Sequence, residues 1–128
     1  MSKEVVRTEA APAPFQGAPY SQAIKANGFV FVSGQVALKP DHDGLVGDDI
    51  ASQTEQVFAN LKAILEEAGS SLDRLVKTTV FLDNFDDFGG MNEVYARHVG
   101  DTPPARSTVE VAKLPSGALV EIEAIAAL

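Results

Sequence analysis

The sequence predicts an α+β domain in which two amphipathic helices lie on one face of a β-sheet. Three observations carry that expectation. Two stretches, about residues 49–68 and 85–99, repeat apolar residues at helical spacing. Five others are apolar, rich in β-branched and aromatic residues, and bounded by turn-forming residues. Their order reads β-β-α-β-α-β-β, which suits helices gathered against a sheet. At 128 residues without cysteine, the chain can bury a core unaided and is expected to form one domain, residues 1–128.

Residues 8–20, "TEAAPAPFQGAPY", are rich in Ala, Pro and Gly and read as an extended lead-in. A short strand is expected at Ala23–Ala26, turning at Asn27-Gly28 into "FVFVSGQVAL", Phe29–Leu38. Gly34 inside that strand signals a bulge or a close approach by another group. "KPDHDG", Lys39–Gly44, is a turn-rich loop. The first helix, about Asp49–Ala68, carries Ile50, Val57, Leu61, Ile64 and Ala68 on one stripe, broadened by Phe58 and Leu65. Asp48 or Asp49 can cap it, and Gly69 suits its left-handed exit. "LVKTTVFL", Leu75–Leu82, is the next strand, followed by a helix over about Phe85–Val99 with Phe88, Met91, Tyr95 and Val99 as its stripe. Gly89-Gly90 should soften its first turn. The last two strands, "ARSTVEVA" and "ALVEIEAIA", are joined by Leu114-Pro115-Ser116-Gly117, and their short spacing predicts an antiparallel hairpin.

The face of the sheet away from the helices is a difficulty. In Ala118–Ala127, Val120, Ile122, Ala124 and Ala126 share one side and Leu119, Glu121, Glu123 and Ile125 the other. Phe29–Leu38 is apolar on both sides. Oligomerisation is the simplest way to cover such a face.

Eighteen acidic against ten basic residues give a formal charge of −8. The basic residues are scattered, whereas phosphate neutralisation needs a basic stripe, so no nucleic-acid partner is expected. "MSKEVVRTEA" lacks an apolar h-region, and no window approaches a spanning helix. Neither export nor membrane contact is expected, and a cytoplasmic location is. His42 and His98 are the two histidines, far apart and without ligand spacing. "DHDGLVGDD" has its glycine too early for a calcium loop. Neither GxGxxG nor a P-loop occurs. No metal is expected.

The polar candidates are few. In "TPPARSTVEV" the rigid Pro103-Pro104 pair precedes Arg106. Arg106 reads either as a surface salt bridge to Glu121 or Glu123, or as a fork gripping a carboxylate with two parallel N–H bonds. Glu121 reads as a solvated strand carboxylate or as a group for water chemistry. Were Leu114–Gly117 the hairpin loop, Glu121 would oppose Glu110, about 13 Å along the strand from Arg106. A small substrate would not span that within one flat hairpin, but a neighbouring subunit could close the gap. Ser33-Gly34 offers a hydroxyl and an approachable N–H, or is a strand irregularity. Tyr20 either caps a pocket or packs the lead-in, and Asn92 is an exposed amide or part of a pocket wall.

The pieces "GAPYSQA", "FVSGQVAL", "VKTTVFL", "MNEVYARH", "PPARSTVEVAKLP" and "VEIEAIA", in this order from about residue 17 to the C-terminus, resemble the Rid (YjgF-like) family of reactive-intermediate deaminases, and its RidA branch in particular. The resemblance implies a chorismate-mutase-like fold with two helices on one face of a mixed sheet. It implies homotrimers whose sheets form a central barrel-like assembly with sites at subunit interfaces. The implied activity is hydrolysis of 2-imino acids and their enamine tautomers, such as 2-iminobutanoate and 2-iminopropanoate, to 2-keto acids and ammonia, with no cofactor. By position, Arg106 would hold the substrate carboxylate and Glu121 would orient or activate water. Tyr20, Ser33 and Gly34 would line the pocket and Asn92 would frame it. Thr108, counted with the substrate-binding residues, stands where a number of RidA-like proteins carry cysteine, which removes a reactive thiol. A non-catalytic metabolite binder or chaperone using the same cleft is the alternative, and it predicts binding without turnover. Ribonuclease activity, also attached to the family, fits an acidic chain poorly.

Overall fold

The computed structural model describes residues 2–41 and 43–128, so His42 lies outside the described residues. The chain forms strands β1 (Glu4–Val6), β2 (Ala23–Ala26) and β3 (Phe29–Gln35), helix α1 (Ile50–Glu67), strand β4 (Leu75–Leu82), helix α2 (Phe88–His98), and strands β5 (Ala105–Glu110) and β6 (Val120–Ala127). The expected α+β architecture is present, with one strand, β1, added within the N-terminal ten residues.

Local chemistry sets the boundaries. Asn27 and Gly28 both have positive φ, 54° and 86°, as a two-residue turn twisted to match its strands requires. Asp49 caps α1 by accepting from the Ser52 N–H at 2.7 Å, a bond that also lowers its carboxyl pKa. Helix α2 starts at Phe88, three residues later than the expected start at about Phe85. Asn84 accepts from the Asp86 N–H at 2.8 Å and diverts residues Phe85–Asp87 into a 3₁₀ turn. Gly90 does more than soften that helix. A Cβ there would lie 2.7 Å from Cγ2 of Ile50, so glycine lets α2 approach the start of α1.

The sheet has six strands in the order β1-β2-β3-β6-β4-β5. All neighbours are antiparallel except β4 and β5, which are parallel. The expected β5–β6 hairpin is therefore overturned. β6 pairs with β3 and β4, and β4 separates it from β5. The reason lies in burial. Val120, Ile122 and Ala126 of β6 are wholly buried and Ala124 nearly so, whereas no residue of β5 is. The most apolar strand takes the middle, where both its edges are hydrogen-bonded, and the more polar β5 becomes an edge. The register built on that hairpin falls with it. Glu121 stands opposite Phe81, and Arg106 opposite Thr78.

The core lies between the helices and one face of the sheet. Val57, Phe58, Leu61, Ile64 and Leu65 of α1 and Met91 and Tyr95 of α2 meet Val30, Val32, Val80, Leu82, Val120 and Ile122. The other face is open. Phe29, Phe31 and Val109 remain 37%, 44% and 43% exposed. No helix among the described residues is long and apolar enough to cross a membrane.

Ile122 sits mid-sheet, wholly buried and opposite Val80. Ile122→Ala is expected to cost about 2–5 kcal/mol, read as a lower urea midpoint with unchanged slope.

Candidate active site

The pleat decides where the polar candidates lie. On β6 the even-numbered residues face the helices, which turns Glu121, Glu123 and Ile125 to the open face. On β5, Arg106 is in register with buried Thr78 and so shares the helix face. Arg106 and Glu121 thus lie on opposite faces of one sheet. They are also roughly 10 Å apart along the strands and about 10 Å across two strand spacings.

Glu121 belongs to the first of two concavities, a cavity of about 550 Å³ that it shares with Tyr20, Ser33 and Gly34. Pro12, Phe15, Val36, Leu38 and Pro115 give it an apolar wall. The β3–β6 register shifts between Val32 and Gln35, so Ser33 and Gly34 form the expected bulge. The bulge brings the Gly34 backbone against the Glu121 side chain. A Cβ at position 34 would overlap Oε2 of Glu121 and lie 2.9 Å from its Cδ. Burial raises the Glu121 carboxyl above its ordinary pKa, and the nearby charge of Glu123 adds to the effect. Of the hydroxyls, that of Ser33 donates to the Ser21 carbonyl at 2.6 Å, which leaves it only lone pairs for a ligand. The Tyr20 hydroxyl accepts from the Phe15 N–H at 2.8 Å and keeps its proton to donate.

Gln22 was not foreseen as part of this site, although it stands in "GAPYSQA". It is buried and lines the cavity. Its side chain accepts from the Thr8 N–H and donates to the carbonyls of Thr8, Ala11 and Pro12, binding the lead-in to the sheet. A buried amide at the head of a strand is the signal that could have marked it.

Arg106 and Asn92 lie elsewhere, in an open concavity of about 350 Å³ with Tyr95, Ala96, Val99 and Pro104. The salt-bridge reading of Arg106 fails, since no ion pair of Arg106 occurs among the described residues. The guanidinium instead lies over the rings of Tyr95 and Phe88, 4.7 and 5.5 Å from their centroids. Thr108 is on the same face of β5. Its Oγ1 is buried and has no hydrogen-bond partner among the described residues. The chain therefore carries two separate concavities, one with a partly desolvated carboxylate and one with a cation that has no carboxylate partner among the described residues. Among the described residues no His, Cys, Asp and Glu cluster could hold a metal ion.

The fold is a mixed sheet under two helices, and sequence comparison gives it a family. The family model for endoribonuclease L-PSP matches residues 8–128. A RutC family protein of Pyrococcus abyssi is 52% identical over 98% of this chain and 98% of its own. Chloroplastic reactive intermediate deaminase A of Arabidopsis thaliana is 48% identical over 100% of this chain and 67% of its own. The crystal structure of YyfA of Yersinia pestis, described as a Rid protein family member of unknown function, superposes with a TM-score of 0.94. It is 48% identical and covers 99% of this chain and 100% of its own. The chain belongs to the endoribonuclease L-PSP family, also called the YjgF/Rid family.

Gly34→Ala tests the close approach. The new methyl is expected to push the flexible Glu121 carboxylate outward into solvent, so its pKa falls back toward the ordinary carboxylate value. An NMR titration of the Glu121 Cδ resonance in both proteins reads this directly.

Proposed function

We propose that the protein hydrolyses small 2-imino acids and their enamine tautomers to 2-keto acids and ammonia, at a cleft completed between copies of the chain in a homotrimer. One observation carries the reading. The cation suited to a substrate carboxylate and the carboxylate suited to activating water lie on opposite faces of one sheet. No small substrate reaches both in a single chain. The apolar open face, with Phe29, Phe31 and Val109 exposed, gives the copies a reason to associate. The relative named a reactive intermediate deaminase supports the reaction class.

The chemistry asks little of the protein. Arg106 of a neighbouring copy holds the substrate carboxylate in a two-point fork and fixes the position of C2. Glu121, ionised, takes a proton from water as the water oxygen bonds to C2 of the protonated imine, and the C=N pair moves to nitrogen. The resulting carbinolamine receives that proton on nitrogen. The C–N bond then breaks, its electron pair leaving with ammonia, as the hydroxyl oxygen forms C=O and gives its proton to Glu121, which passes it to the departing ammonia, so ammonium and a 2-keto acid leave. Tyr20 can donate to the developing oxygen or nitrogen, while Ser33 and Gly34 shape the wall and Asn92 and Thr108 frame the carboxylate end. No cofactor enters this sequence. A raised Glu121 pKa makes the carboxylate a better base near neutrality. The family's ribonuclease label is less attractive for a chain of charge −8 without a basic stripe.

In a coupled assay, a threonine dehydratase generates 2-iminobutanoate in situ and the protein is expected to accelerate its loss, with Arg106→Ala abolishing the acceleration. Ligand binding without any turnover by the wild type would favour the alternative of a metabolite binder, and no effect of either kind would end the proposal.

Because the base must be ionised, activity is expected to fall as pH drops through the raised Glu121 pKa, above the ordinary carboxylate value. Glu121→Gln should lower kcat by about 10²–10⁴ and remove that acid limb from the pH profile.

A further inference from the structure

We propose that Tyr95, fixed by Thr78, is the positioning residue for the Arg106 guanidinium. The proposal rests on the reading of Arg106 as the carboxylate-binding group. An arginine with no carboxylate partner needs some other restraint if it is to meet a ligand in one orientation. Here an aromatic pedestal supplies it. The centre of the guanidinium lies 4.7 Å from the Tyr95 ring centroid and 5.5 Å from that of Phe88, within reach of the negative faces of both rings.

The pedestal is itself immobilised. Tyr95 is 5% exposed, and its hydroxyl pairs with Thr78 Oγ1 at 2.6 Å. Its ring meets Phe58 edge-on, with centroids 5.4 Å apart. Thr78 is wholly buried and is the register partner of Arg106 on β4. The same strand pairing that fixes the Arg106 backbone therefore fixes the ring beneath its side chain. A salt bridge in this place would have used the N–H donors. A ring attracts the guanidinium through its π face without taking its N–H donors into an ion pair, which leaves them for a planar anion. The concavity formed with Asn92, Ala96 and Pro104 gives that anion its approach.

The test uses the assembled wild-type protein and 2-oxobutanoate, the stable keto-acid product, in calorimetric titration beside the coupled imine assay. Tyr95→Leu is expected to weaken binding about tenfold, roughly 1.4 kcal/mol. KM should rise to match, while kcat changes by less than about twofold. Tyr95→Phe, which keeps the ring, should cost no more than about threefold. The Arg106 side-chain NMR resonances are expected to be shifted upfield by the ring in the wild type and to lose that shift in Tyr95→Leu. In an Arg106→Lys background, Tyr95→Leu should have a much smaller effect. Should Tyr95→Leu fail to fold, Thr78→Val, which frees the ring to tilt, is expected to weaken binding about threefold and reduce the upfield shift. Wild-type binding and turnover with undiminished affinity in the ring variants overturns the positioning role alone. Equal losses in the Arg106 and Arg106→Lys backgrounds do the same. A wild type that neither binds the keto acid nor turns over the imine overturns the functional reading and this inference together.

Discussion

The architecture depends on β6 being held between β3 and β4. Its pleat sends Val120, Ile122, Ala124 and Ala126 into the core and turns Glu121 and Glu123 to the far side. Each neighbour then adds something. β3 contributes the bulge at Ser33-Gly34 that meets Glu121, and β4 contributes Thr78, which steadies the region beneath Arg106. A strand in the interior of a sheet cannot slip by one residue without exchanging its apolar and charged faces. The burial that stabilises the fold therefore also fixes where the carboxylate points.

The two ionic groups are handled in opposite ways. Glu121 is partly desolvated with another carboxylate on its own face, which disfavours its charged form. Arg106 rests on aromatic rings and has no counter-ion among the described residues. Left so in one chain, neither group is electrostatically satisfied. Under the proposed function an intersubunit cleft resolves both, since the cation of one copy and the carboxylate of another would meet across a substrate that carries a negative and a positive end. In that proposed assembly the apolar open face would provide an association energy independent of the electrostatic match.

Much of the fold was legible in the residues because it is local. The Asn27-Gly28 turn, the Asp49 cap and the strand Leu75–Leu82 follow from backbone preference and apolar periodicity. The start of α2 was not, because the Asn84 side chain, four residues before the apolar stripe, takes the Asp86 N–H and turns Phe85–Asp87 into a 3₁₀ segment. β1 was missed because three residues with two exposed give no periodicity to read. Its strand character comes from pairing with β2.

The candidate site divides along the same line. The sequence by itself determined which residue types were available: an arginine after two prolines, a carboxylate in an apolar strand, and a glycine where a strand should not bend. It also determined that one face of β6 is apolar and the other acidic, since alternation is a property of the chain. Only the tertiary structure decided that β5 lies beyond β4 rather than beside β6, and with it that Arg106 and Glu121 occupy opposite faces. Only it set Arg106 on Tyr95 and Glu121 against Gly34. The physical reason is that strand order reflects competition among all strands for the buried centre of the sheet, and no short stretch of sequence contains that competition.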